Sequence, residues 1–347
     1  MNFNKTMPRL FLSVLVCAFF LLTTSACRPG SGKRESQALT PSDSLSRRIA
    51  AKIPAETLTK IWEAVAPKEG MAFPQTVRFG PDSSIYIADV ERQKIYIFTD
   101  SGKYKGEIAS PDFKYPYLAG FTGDTLAVLN RGMNRLEFYK NGVKVRAISV
   151  PEAPMGYVTF KGHDMYFKAS GHDGYEGYLT KLDKYGKAIA PTAKFTEAFW
   201  RYAGNLRAWE DNKVVSLSGL RPVVDILYPS GKLVAMQLRG FDSPMLPRTR
   251  LFYTGEEHEL PVLSPSAAPV DSSLFVMNPR PGYLRIDRYN RAGMILQAAE
   301  EKGLRFDQNF YPTEMDARRL PDGTIEFAVL FKNPRPSLRL YRWKLGS

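Results

Sequence analysis

From residue 73 onward the chain alternates short runs of Ile, Val, Leu, Tyr and Phe with clusters of Gly, Asp, Ser and Pro. Such runs bounded by turn residues are strand and hairpin signals. The clearest unit is residues 73–108, FPQTVRFGPDSSIYIADVERQKIYIFTDSGKYKGEI. QTVRF runs into a Pro-Asp-Ser-Ser turn and IYIAD, then a polar loop leads to KIYIF, and an Asp-Ser-Gly turn leads to YKGEI. The same grammar recurs along the chain. The first turn reappears at Asp82, Asp124, Asp164, Asp211, Asp271 and Asp322. The second strand follows as IYIAD, LAVLN, MYFKA, VVSLS, LFVMN and IEFAV, and the third as KIYIF, RLEFY, YLTKL, VVDIL, YLRID and SLRLY. The next turn ends in Gly102, Gly142, Gly186, Gly231, Gly293 and Gly346, where tight hairpins ask for a residue that tolerates positive φ.

Four-stranded units at this spacing predict an all-β fold, a six-bladed β-propeller with four antiparallel strands per blade. The sixth unit has three strands before the chain stops at Ser347. Leu58 to Ala64, LTKIWEA, is a strand with no unit of its own, and it is predicted to add the missing outer strand and close the ring. Closure removes the open sheet edges that invite aggregation. A helix over 55–64 is the competing reading.

The unit at 73–108 resembles an NHL repeat, and the whole resembles the NHL-type six-bladed propeller lipoproteins of bacterial envelopes. The N-terminus fits that resemblance. Lys5 and Arg9 precede an apolar run from Leu10 to Leu22, which is shorter than the roughly 20 residues of a membrane-spanning helix. Thr24-Ser25-Ala26-Cys27 resembles a lipobox, in which cleavage before the cysteine is followed by acylation (palmitate) of its thiol. Thr24 stands where a lipobox usually has Leu. The predicted organisation is a signal peptide over 1–26, a flexible lipid-anchored tether over 27–54 and the propeller over 55–347. Arg28, where an Asp would resemble an inner-membrane retention signal, points to the outer membrane of a bacterial envelope.

The chain holds two cysteines. Cys17 leaves with the leader, so a disulfide framework or a cysteine metal site is ruled out. The net charge of +13 falls to +11 without Lys5 and Arg9. On the loops after the second strands lie Arg92 with Lys94, Arg131 with Arg135, His172 with Asp173, Arg221, Arg280 and Arg335. Arg280 and Arg335 are each bracketed by prolines, which stiffen a loop. Guanidinium groups there would pair with carboxylate, sulfate or phosphate. The same face carries the extended segments 191–206, 240–264 and 303–313, with the aromatics Trp200 and Tyr202. Arginine beside aromatic rings suits a sugar or an aromatic peptide side chain. Nucleic acid is not an expected partner of an exported protein.

Enzyme signatures are thin. The chain has three histidines, and it lacks a nucleophile elbow, a paired-His helix or a phosphate loop. The run Glu256-Glu257-His258-Glu259 cannot turn all its members toward one ion. Lactonase-type propellers hold a divalent ion in the channel, and the predicted inner strands QTVRF, YLAGF, MGYVT, NLRAW, SAAPV and EMDAR offer it Glu314 and Asp316. Asp89, Asn130 and Asn278, which end second strands, read as loop caps. The sequence thus favours a non-enzymatic binding or scaffolding protein without cofactor or metal. Its partners would be the membrane, through Cys27, and an anionic or glycan ligand or an envelope protein. A metal-dependent hydrolase of the lactonase type is the alternative.

Overall fold

The structure is a computed structural model, and it describes residues 43–66, 70–153, 156–170, 176–196, 204–254, 256–258, 262–301 and 311–346. Four sheets of four strands follow one another along the chain. The first comprises β2 (Pro74–Phe79), β3 (Ile85–Asp89), β4 (Lys94–Phe98) and β5 (Tyr104–Ala109). The second comprises β6 (Pro116–Thr122), β7 (Thr125–Asn130), β8 (Arg135–Lys140) and β9 (Val143–Ser149). The third holds β10 (Gly156–Lys161), β11 (Asp164–Ser170), β12 (Glu176–Leu182) and β13 (Ala188–Thr196). The fourth holds β14 (Leu206–Ala208), β15 (Val214–Leu217), β16 (Val223–Leu227) and β17 (Leu233–Gln237). Each is an antiparallel meander in chain order, which is the blade of a β-propeller.

The expected fifth and sixth blades do not stand apart. They share one eight-stranded sheet in the order β18-β19-β20-β21-β1-β24-β23-β22. Its strands are β18 (Ala267–Val270), β19 (Ser273–Met277), β20 (Arg285–Tyr289), β21 (Ile295–Glu301), β22 (Tyr311–Arg319), β23 (Ile325–Asn333), β24 (Ser337–Trp343) and β1 (Ala55–Ala64). The count of separate blades is therefore four, plus one sheet of double width. The reason is β1, which is a strand and not a helix. Its second half pairs antiparallel with β24, placing Thr59 opposite Arg342 and Ala64 opposite Leu338. Its first half continues past that strand and pairs parallel with β21, Ala55 opposite Ala298 through Leu58 opposite Glu301. The first strands β2, β6, β10, β14, β18 and β22 contact one another in a closed cycle around the axis.

Turn chemistry explains why the units repeat. Gly102, Gly142, Gly186, Gly231 and Gly293 all take positive φ between third and fourth strands. Gly346 closes no hairpin among the described residues, of which β24 is the last strand, and it is not among the positive-φ glycines. Gly186 is the most constrained, because a Cβ there would lie 1.9 Å from the carbonyl oxygen of Ser149 in the neighbouring blade. Gly186→Ala is expected to cost about 1–3 kcal/mol through strain and clash together. Gly162→Ala, where a Cβ meets nothing within 4 Å, carries only the backbone strain, and its loss should be smaller. Denaturant unfolding of the two variants compares them, and equal losses would refute the clash.

The predicted tether is corrected over its last part. Helix α1 (Asp43–Ala50) falls within it. Ser46 and Ala50 are buried, and Ile49 and Ile53 pack against a cluster that includes Trp209, Leu238, Phe241 and Ile295. One apolar stripe of two turns is too short to stand out in a polar stretch. The long segment 240–264 also contains regular structure, helix α2 (Leu246–Thr254). Leu246 joins the same cluster.

Candidate functional site: the channel cluster

The closed cycle of first strands brings Arg78 of β2, Arg207 of β14 and Glu314 of β22 together. They are separated by more than a hundred residues along the chain. Glu314 Oε1 accepts from Arg78 Nη1 at 3.0 Å and from Arg207 Nη2 at 2.6 Å. Its Oε2 accepts from the Val77 amide at 3.3 Å. Arg78 and Arg207 are only 5% and 6% exposed. Burial opposes the Arg78 charge, but Glu314, Tyr117 and Asp316 outweigh it and raise its pKa further. Asp316, one pleat along β22, accepts from the Phe79 amide at 2.9 Å.

Beside this triad a row of cations and rings crosses the channel. Tyr117 of β6 and Tyr157 of β10 meet edge to face with centroids 5.2 Å apart. The Arg131 guanidinium lies 4.0 Å from the Tyr117 ring and 4.7 Å from the Tyr157 ring. Arg131 Nε donates to the Gly156 carbonyl at 2.9 Å. On the far side the Lys168 ammonium is 5.3 Å from the Tyr157 ring and donates to the carbonyls of Gly204 and Leu217. Burial pushes the Tyr157 hydroxyl up to about 12, so it stays protonated at neutral pH. Such stacking contributes about 0.5–2 kcal/mol per pair when desolvated.

The arginines expected on the rim differ in exposure. Arg221 is 2% exposed. Arg280 is buried and pairs with the side chain and carbonyl of Asp242. Prolines stand on either side of it, and the side chain is nevertheless turned inward. Arg335 is exposed, yet it is paired with Glu63 of β1 at 3.2 Å. Arg92 and Arg135 are half-buried, and Arg131 stacks over the channel tyrosines. Cys27, His172, Trp200 and Tyr202 lie outside the described residues.

Two of the three residues that end second strands act as the expected loop caps, whereas Asn278 does not: its Nδ2 donates to the carboxylates of Asp242 and Asp287. Asp89 accepts from the amides of Ala72, Phe73, Glu91 and Arg92. Asn130 bridges the Lys114 amide and the Asp112 carbonyl. On the long insertion Glu257 is taken up by Arg248 at 2.9 Å. Among the described residues no group of three or more His, Cys, Asp or Glu could hold a metal ion. The two channel carboxylates do not fit a lactonase-type ion, because Glu314 is already bound by two guanidinium groups and a cation beside them would be repelled.

Sequence reasoning missed Arg78, Arg207, Tyr117 and Tyr157. The signal was present: Arg78 in QTVRF and Arg207 in NLRAW are basic residues on strands whose inner face must line the channel.

No family model matches the chain, and no curated protein matches it by sequence. Solved structures do resemble it. A catalytically inactive virginiamycin B lyase from Staphylococcus aureus is 13% identical, with 80% of this chain and 83% of that one covered and a TM-score of 0.50. A luciferin-regenerating enzyme is 12% identical, covering 84% and 96%, with a TM-score of 0.52. A Bacteroides fragilis protein described as exported is 11% identical, covering 85% and 97%, with a TM-score of 0.52. At this identity the likeness establishes the fold alone. The chain is a β-propeller, a scaffold on which function depends on the site and not on the fold.

Proposed function

We propose that the chain is an exported, lipid-anchored binding propeller that recognises an acidic or glycan-bearing partner on its loop-rich face. The observation that carries the binding reading is the state of Glu314. The carboxylate best placed to hold a catalytic ion is locked between Arg78 and Arg207. A hydrolase of the lactonase type would need that carboxylate free, so the binding reading is preferred to it. The lipobox-like Thr24-Ser25-Ala26-Cys27 supports acylation at Cys27 and an outer-membrane location, and helix α1 would then hold the end of the tether against the propeller. In this reading the eight-stranded sheet counts as two blades joined by β1, which makes six, in keeping with an NHL-type propeller.

Arg92 and Arg135 keep partial exposure on the face where the loops gather. Their charge is offered to the partner. The test is binding of the membrane-extracted protein to immobilised acidic glycans. Arg92→Gln with Arg135→Gln should weaken capture about tenfold, a loss of about 1.4 kcal/mol, and flatten its salt dependence. Unchanged capture would refute the surface reading. Cys27→Ala should shift the protein from membrane to soluble fractions, and continued membrane fractionation would refute the anchor.

A further inference from the structure

The channel cluster has more buried donors than the protein satisfies. A guanidinium carries five N–H groups. Arg78 spends Nη1 on Val77 and Glu314, while its Nη2 makes no hydrogen bond. Arg207 spends Nη2 on Glu314 and the Met315 carbonyl, while its Nε makes none. Arg131 spends Nε on Gly156 and Nη1 on Gln75, while its Nη2 makes none. All three nitrogens are buried. The three side chains are linked through shared neighbours. Arg78 and Arg207 share one oxygen of Glu314, and the guanidinium groups of Arg78 and Arg131 lie 5.9 and 4.0 Å from the same Tyr117 ring.

Charge points the same way. Arg78 and Arg207 share the one carboxylate of Glu314, Arg131 stands over the neighbouring tyrosines, and adding Asp316 still leaves cations in excess. Buried cations without a counter-charge are strongly disfavoured. A neutral donor-acceptor such as water answers the hydrogen bonds but not the charge.

We propose that the channel is a binding site for one small anion of halide or carboxylate size, held by Nη2 of Arg78, Nε of Arg207 and Nη2 of Arg131. Guanidinium donors are the usual partners of such ions. Tyr117 and Tyr157 wall the site, and the depth of Arg78 and Arg207 requires an occupant compact enough to shed its water. The anion would pin β2, β14 and the loop after β7 to one another across the axis. The site uses neither Arg92 nor Arg135, so it can exist whether or not the loop-rich face binds a glycan.

The test uses the purified protein and bromide as probe. Crystals grown in sodium bromide should show one anomalous peak within hydrogen-bond reach of all three arginines. In solution, thermal midpoints are measured against bromide, acetate and gluconate at constant ionic strength. Bromide and acetate should stabilise saturably, and the bulkier gluconate should not. Arg131→Gln leaves the Glu314 pairs intact, so it should fold and should raise the half-saturating bromide concentration at least tenfold. Lys103→Gln, on an exposed turn, should leave it unchanged. Absence of the peak, or equal stabilisation by all three anions, would overturn the proposal. Failure of glycan capture would leave these results untouched.

Discussion

Glu314→Gln is expected to cost about 3–5 kcal/mol of folding stability, the usual loss when one member of a buried ionic group is removed. Glutamine keeps the shape but offers no charge to Arg78 and Arg207, which remain buried with their directly paired counter-charge gone. The thermal midpoint should fall by on the order of 10 °C. Replacing all three together, Arg78→Met with Glu314→Leu and Arg207→Met, should recover most of the loss, since apolar side chains of similar volume often replace a buried ionic triad at little cost. Calorimetry of the single and triple variants decides it. A single variant within 1 kcal/mol of the parent would mean that the channel is wet enough to screen these charges.

A chain that starts after Ala64 is expected to lose cooperative folding. Removing β1 uncovers the edge of β24 and the edge of β21 at once, and unpaired edges recruit other chains. It also removes Leu58 from the cluster around Phe275, Phe327 and Trp343. The bond from Trp343 Nε1 to Glu56 at 2.7 Å goes with it. The Trp62 indole, which donates to the Asp100 carbonyl and packs over Gly102, would no longer tie the seam to the first blade. Size-exclusion chromatography and circular dichroism should show aggregation and no sharp melt. A soluble truncated chain with a single sharp transition would contradict this. Within the full chain, Trp343→Ala should cost about 3–5 kcal/mol, because the ring is fully buried against Phe275 and Phe327.

The blade grammar was legible because it is local. A hairpin is specified by its own turn, and five of the named glycines do take the positive φ that the turn requires. The strand at Leu58–Ala64 was legible as well, since the last unit lacked one. What could not be read was everything that depends on distant residues. Arg280 looked like a projecting loop residue, yet its partner Asp242 lies 38 positions upstream. Arg335 looked free, yet Glu63 is 272 positions away. Arg78 and Arg207 share the inner strands with the carboxylates, and what sets their role, the single partner Glu314, is again more than a hundred residues from each. That β1 would extend beyond β24 to reach β21 has no local signal at all, because it depends on how closely two sheets approach.

The pairing of β1 with β24 also sets the order of events as the chain is made. β1 leaves the ribosome first among the described strands and then waits, its partner still unsynthesised, until residues 337–343 are made. Each of the four separate blades can form from neighbouring sequence as soon as it emerges, while contacts across large sequence separations form slowly. Among the described strands, the latest pairing is therefore that of residues 337–343 with a strand made hundreds of residues earlier. Until then two edges stay open, and a chaperone that shields β1 would act over that interval.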